Sequence, residues 1–282
     1  MYDNFIWSGC SFSWGSGFNT FEHDGARWKH PDFSEYFNYG EYGVGLDSYE
    51  LQLAVLPHTF PNLVGKKLGS SNIQNISLPG LGTTHHIRRI TSYIEANKNI
   101  LDFSKTFVGL QVTYPGRVDL IEAMEADENL NQFHEWHFKT LFNDASLVSD
   151  AAKPYYKHYF DFDYEILKKT QELLLFYRYL KSYNIDCMFY GMSGTRNDNF
   201  KIKKKDVDKV YTEFVQEIYH PIKLKYPNID DIFDEIGYHE TPFPVESLNN
   251  SKYNVPDAHL SPIGHIDTAN DIYNYITNLI KK

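Results

Sequence analysis

Asn4-Phe5-Ile6-Trp7-Ser8-Gly9-Cys10-Ser11-Phe12-Ser13-Trp14-Gly15 is the stretch from which the fold of this 282-residue chain is read. The run at 4–7 is short and apolar, as a buried first strand requires, and the small residues after it fit a tight turn. A serine just past a strand and beside a glycine can present its hydroxyl at the sheet edge. Ser11 can also stand at a helix start, where free backbone N–H groups favour developing negative charge. The plain alternative for such a serine is a helix N-cap.

Outward from this turn, strands and helices alternate. Residues 59–69 predict a helix, with Thr59 as its cap, Pro61 in its first turn and Gly69 at its end. Residues 73–78 predict a second strand, Pro79-Gly80-Leu81-Gly82 a turn, and 83–96 a helix. Residues 106–112, apolar on both faces, predict a third strand, and 185–190 a fourth. Between them, 164–180 form an amphipathic helix whose stripe is Leu167, Leu173, Leu174, Tyr177 and Leu180. A helix over 262–280, with Ile266, Ala269, Ile272, Tyr273 and Ile276 on one face, closes the chain. Apolar strands separated by amphipathic helices imply a parallel sheet covered on both sides, an α/β fold of three α/β/α layers. Ligands gather at the carboxyl ends of such strands. The whole of 1–282 reads as one domain with two insertions, at about 16–58 and about 120–160. The first is rich in glycine and aromatics without a period; the second, acidic and aromatic, is expected to be helical.

Composition narrows the function. Hydrophobic residues make up 42% of the chain, which supports a packed core rather than disorder. A net charge of -10 repels phosphate backbones, so nucleic acid is not an expected partner. The basic run at 201–205 (K-I-K-K-K) reads as a solvated loop or helix end. Cys10 and Cys187 both fall in segments that read as strands, so no disulfide framework is expected and a reducing compartment is permitted. His134 and His137 share a helical spacing but make an incomplete zinc site, so no metal is expected. No export leader opens the chain and no stretch reaches the length of a membrane span; a soluble protein is expected. The aromatics supply core volume and can also line a groove for sugars.

Near the other end stands Asp257-Ala258-His259-Leu260-Ser261-Pro262-Ile263-Gly264-His265. A histidine beside a carboxylate is the minimum that activates a serine: the imidazole removes the hydroxyl proton, and the carboxylate holds its tautomer and steadies its positive charge. The same stretch is a helix entry, with Ser261 capping and Pro262 in the first turn, which also fixes the histidine. His265 lies past the helix start and is expected to pack against the sheet.

Taken together, these motifs resemble those of the GDSL/SGNH hydrolases. The first, G-C-S-F-S-W-G, resembles the family's serine motif after its first strand. His259 and His265 keep the family's spacing from catalytic histidine to a following G-H pair. The segment T-F-P-N-L-V-G-K-K-L-G, followed by N-I-S-L-P-G, resembles its helix and second strand. The resemblance is close at both ends and over the first two fifths, and loose from 120 to about 253. It implies a flavodoxin-like SGNH hydrolase fold, with Ser11 as nucleophile, His259 as base and Asp257 as its partner. Backbone N–H groups of Ser11 and Gly80 would form the oxyanion hole. It also implies metal- and cofactor-free cleavage of a small ester or acylated glycan, such as a carbohydrate O-acetyl group. Three residues depart from the pattern: Cys10 replaces the usual Asp, Asp257 precedes His259 by two positions instead of three, and no G-x-N-D follows the third strand. Gln111 or Thr113 would then replace the missing Asn as side-chain donor. The alternative reading is a non-catalytic binding or structural protein with a degraded oxyanion hole; a third is acyl transfer to a sugar hydroxyl. Arg117 and Asp119 read as a structural ion pair below the site, or as a clamp for a substrate carboxylate or hydroxyl. His85 and His86 read as surface residues, with lining of the cleft as the lesser alternative. Nothing in the sequence sets the oligomeric state.

Overall fold

In the computed structural model the described residues are 2–15, 22–23, 26–27, 55–78, 81–113, 118–123, 136–141, 162–193, 229–244, 260 and 262–281. Five strands form one sheet: β1 (Asn4–Ser8), β4 (Asn72–Asn75), β5 (Thr106–Val112), β8 (Asp186–Ser193) and β9 (Tyr238–Pro244). Their order is β4-β1-β5-β8-β9, and every neighbouring pair is parallel. Two small antiparallel pairs lie apart from it, β2 (Glu22–His23) with β3 (Ala26–Arg27), and β6 (Val118–Ala123) with β7 (Trp136–Leu141). All seven residues of β5 are buried, which is why its sequence is apolar on both faces.

Among the described residues the α-helices are α1 (Ser11–Trp14), α2 (Phe60–Lys67), α3 (Thr83–Asn97), α4 (Phe162–Ser182), α5 (Ile229–Glu235) and α6 (Pro262–Ile280). Alternate residues of each strand feed two cores. Ile6, Val108, Leu110 and Phe189 pack beneath α3, α4 and α5. Phe5, Trp7, Phe107, Met188 and Tyr190 pack beneath α2 and α6. The result is the three-layer α/β/α sandwich that the alternating pattern predicted. At the end of α4, Asn184 adopts φ 59° while Ile185 N–H reaches back to Leu180 O at 3.0 Å. This is the left-handed cap that asparagine tolerates, and it turns the chain directly into β8.

Several expectations need correction. The segment at 120–160 was expected to be helical, but its described parts are the strands β6 and β7, paired from Val118 against Leu141 to Ala123 against Trp136. Its apolar residues alternate weakly with acidic ones, a pattern that a pair of strands satisfies as well as a helix does. Helix α5 and strand β9 were not anticipated, because Tyr238-His239-Glu240-Thr241 carries too little aliphatic content to read as a strand. As an edge strand, β9 does not need it. Ile266 was placed on the buried stripe of α6 yet is 49% exposed; His265 takes the buried position instead. Cys10 lies in the bend after β1 and not in the strand, whereas Cys187 is in β8. Thr59 stands at the N-cap of α2, but its hydroxyl turns back to Leu56 O at 2.8 Å.

Candidate active site

From β1 the chain moves out to β4, then returns to the other side of β1 as β5. The connection to β4 runs through α2 on one face, and the connection to β5 through α3 on the other. Where two connections diverge in this way, a crevice opens at the carboxyl ends of the strands. Ser11 opens α1 at that point, just past β1. Trp14 N–H donates to Cys10 O at 3.0 Å, closing the first turn. The first N–H groups of any helix have no acceptor inside it and point out of its start.

The segment leading from β4 toward Gly80 is firmly held. Ile76 N–H donates to Trp7 O at 2.8 Å and Leu78 N–H to Gly9 O at 3.0 Å, so it runs alongside β1 beyond the end of β4. The Arg89 Nε–H donates to Ile76 O at 2.9 Å, and burial pulls the Arg89 guanidinium below its ordinary pKa. Asn75 is the hub of this corner. Its amide nitrogen donates to Ser13 O at 2.9 Å and to Thr59 Oγ1 at 3.2 Å, while its amide oxygen accepts from Ser77 N–H at 3.2 Å and from the Ser77 hydroxyl at 2.6 Å. One side chain thereby ties α1, the start of α2 and the segment after β4 together.

The start of α6 joins the same corner. Phe60 N–H, in the first turn of α2, donates to His265 Nδ1 at 3.1 Å, and the two rings stack at 5.8 Å. His265 is fully buried with Nδ1 acting as acceptor; it was expected to pack against the sheet, and the partner it meets is Phe60 of α2. Leu260, next in sequence after His259, is buried in the core beneath α2 and α6.

On the other face, Ser8 Oγ lies 3.0 Å from His86 Nδ1, and both residues are fully buried. His86 was expected at the surface; it instead fills the gap between β1 and the first turn of α3, where a polar ring meets the Ser8 hydroxyl. His85 is partly buried. Of the two expected side-chain donors, Thr113 pairs its hydroxyl with that of Thr83 at 3.0 Å, and its N–H donates to Thr83 Oγ1 at 3.0 Å. Gln111 accepts from the Ser13 hydroxyl at 2.5 Å, and Ser13 accepts from the Trp7 indole N–H at 3.0 Å. Ser13, Asn75 and Trp7 had not been singled out as site residues. Ser13 and Trp7 stood in the quoted first stretch, but only their three-dimensional partners reveal what they hold.

A second histidine–carboxylate pair lies at the far edge of the sheet. His239 Nε2 is 2.7 Å from Asp271 Oδ2, and its ring stacks on Tyr275 at 4.2 Å. His239 is in register with Tyr190, itself in register with Gln111, so two strand spacings separate it from β5 and three from β1. At about 4.8 Å per spacing, that distance is too long for proton transfer with Ser11.

His259, Asp257, Gly80 and Arg117 lie outside the described residues, as do His134 and most of 16–58. Asp119 stands in β6, in register with Thr140. Among the described residues no group of three metal-ligating side chains converges, and no described helix is long and apolar enough to cross a membrane.

No protein-family profile matches the chain, and neither does any curated protein. Among solved structures, the chain is similar to an acetyl xylan esterase (Est2A) from the rumen bacterium Butyrivibrio proteoclasticus, with 10% identity and a TM-score of 0.43. The similarity covers 100% of this chain and 65% of that one. It is also similar to a carbohydrate esterase whose active site displays divergent catalytic and non-catalytic binding functions, with 13% identity, a TM-score of 0.39, and coverage of 100% and 70%.

Proposed function

We propose that this chain is a serine hydrolase of the GDSL/SGNH type that cleaves an ester through an acyl-enzyme. The observation that carries the reading is a bonded path from the first turn of α6 to α1. His265 accepts from Phe60 N–H; the adjoining Thr59 hydroxyl accepts from Asn75; Asn75 donates to Ser13 O. The helix entered through 257–261 and the helix opened by Ser11 are thus fixed to one corner, as a shared serine–histidine site requires.

In the proposed reaction the Ser11 Oγ forms a bond to the ester carbonyl carbon while His259 takes the hydroxyl proton. The carbonyl oxygen becomes an oxyanion stabilised by the N–H groups of Ser11 and Gly80 and by one side-chain donor, Gln111 or Thr113. Collapse breaks the ester C–O bond, and the leaving alkoxide takes the proton from His259. Water then adds to the acyl-enzyme, giving its proton to the same imidazole, and Ser11 leaves as the restored hydroxyl. Asp257 orients the imidazole. No metal or organic cofactor takes part. The substrate class is a short acyl ester or carbohydrate O-acetyl group, the latter favoured by the aromatic content of the chain. The absent G-x-N-D is the ground for the competing reading, a binding protein that retains the fold alone.

Labelling with a fluorophosphonate probe and turnover of a short-chain aryl ester separate the two. The wild-type protein is expected to label at Ser11, and its rate to rise with pH through one ionisation near neutrality as the base loses its proton. Ser11→Ala is expected to abolish both signals with the thermal transition unchanged. Wild-type turnover by the Ala variant, or loss of activity on adding a chelator, overturns the serine mechanism.

A further inference from the structure

Trp7, Ser13 and Gln111 form a buried relay whose direction is set by chemistry. The indole N–H can only donate, so Ser13 Oγ accepts from it, at 3.0 Å. The Ser13 hydroxyl proton then goes to Gln111 Oε1, at 2.5 Å. With the carboxamide reversed, its NH2 would face an oxygen that already accepts the indole proton, and the Ser13 proton would lose its acceptor. That is a costly arrangement for residues exposed by 2% or less. The amide oxygen is therefore held toward α1. The amide nitrogen has no hydrogen-bond partner among the described residues, and it is not among the fully enclosed polar atoms that lack one.

Two glycines make room for this relay. A Cβ at Gly109 would stand 1.9 Å from the Trp7 ring, and one at Gly9 would stand 2.4 Å from Ser13 Oγ and 2.6 Å from Gln111 Cβ. The indole lies against Gly109 of β5, and the glutamine against Gly9 in the turn that leads into Ser11. The competing side chain already has a partner: the Thr113 hydroxyl pairs with that of Thr83 at 3.0 Å, with either oxygen able to donate.

We propose that Gln111 supplies the side-chain donor of the oxyanion hole through Nε2, and that Ser13 and Trp7 are positioning residues that hold its amide in that orientation. This rests on the serine-hydrolase reading above. A glutamine would thus do, from within β5, what the missing Asn would do from the loop after it.

The test compares Gln111→Leu, Gln111→Glu, Ser13→Ala and the double variant Gln111→Leu/Ser13→Ala with wild type. The readouts are kcat and KM on an aryl ester, fluorophosphonate labelling rate and thermal stability. Gln111→Leu is expected to lose about 100- to 1000-fold in kcat with KM little changed, the mark of a contact made in the transition state. Gln111→Glu keeps the shape and the acceptor for Ser13 but loses the donor when ionised. Its deficit relative to wild type is therefore expected to shrink as pH falls and the carboxyl regains a proton; this isostere carries the test if the Leu variant does not fold. Ser13→Ala is expected to cost roughly tenfold alone and nothing further in the Leu background, because a positioning residue acts through the group it positions. If the variants keep kcat within threefold and lose only thermal stability, the relay is structural and the proposal is overturned. An equal Ser13→Ala loss in both backgrounds removes Ser13 from it. A wild-type protein that does not label overturns the hydrolase reading and this one with it; a labelling wild type beside an equally fast Gln111→Leu variant overturns this one alone.

Discussion

The two ends of the parallel sheet are both polar, but they dispose of their polar groups differently. At the amino end, Tyr2 donates its hydroxyl to Asp186 at 2.8 Å, and Lys181 meets the other oxygen of Asp186 at 3.1 Å. A cavity of about 410 Å³ lies here, lined among others by Tyr2, Phe107, Tyr177, Asp186, Cys187 and Ile276. Burial first, then the Asp186 hydrogen bond and charge, hold the Tyr2 hydroxyl well above the usual tyrosine range. Burial pushes the Cys187 thiol up to about 12. The Tyr2 hydroxyl and the Cys187 thiol are thus held in their neutral forms, and the charges of Lys181 and Asp186 meet each other. At the carboxyl end the balance is reversed. Hydrogen bonds fix the orientation of Gln111, whose amide nitrogen has no hydrogen-bond partner among the described residues, and Trp14 N–H to Cys10 O closes the turn begun by Ser11. A polar cluster that closes on itself gives rigidity; one whose donors are held but unanswered is prepared for a ligand.

The sharpest way to break this contrast is to remove the proposed base. His259→Ala is expected to lower kcat/KM by about 10⁴-fold or more, with folding unchanged by circular dichroism. Asp257→Asn is expected to lose less, since the carboxylate orients the base whereas the histidine moves the proton. Equal losses would mean that the pair acts as one unit, and a harmless His259→Ala would leave the carboxyl end without its chemistry.

Gly109→Ala is next in size. Its Cβ would enter the Trp7 ring, which is walled in by Phe60 and Tyr190, so the ring cannot swing aside without cost. A loss of about 1–3 kcal/mol in urea unfolding is expected, together with reduced turnover as the indole leaves Ser13. A drop in stability with full activity would separate the carboxyl-end relay from function.

The amino end should show itself in alkali. For a thiol held at about 12 against an ordinary 9.0, the stabilising contribution is fully present below about pH 9 and is lost as pH rises toward 12. The raised Tyr2 and Tyr179 hydroxyls act in the same direction. The urea midpoint is therefore expected to fall across that window, and less steeply in Cys187→Ala. A midpoint flat to pH 12 would contradict the closed character of this end. Smallest of all, Asp186→Asn is expected to change stability by less than about 1 kcal/mol, because the Lys181–Asp186 pair is largely solvated, and to leave kcat/KM unaltered.

The sequence by itself determined the layer architecture and the turn that bears Ser11. Strand β5 and helix α6 fall on the residues their periodicity marks, 106–112 and 262–280, because burial on two faces or on one stripe leaves a pattern in the local order of apolar residues. It did not reveal the edge strand β9 or the β6–β7 pair, whose sequences carry no clear strand periodicity. Nor could it show that Gln111 accepts from Ser13 while Thr113 pairs with Thr83, or that His86 is buried against Ser8 while His265 receives the N–H of Phe60. Those facts were decided by the tertiary structure alone. Ser13 and Gln111 are 98 residues apart, and whether a donor is engaged or left open depends on which distant groups the sheet brings to within hydrogen-bonding distance.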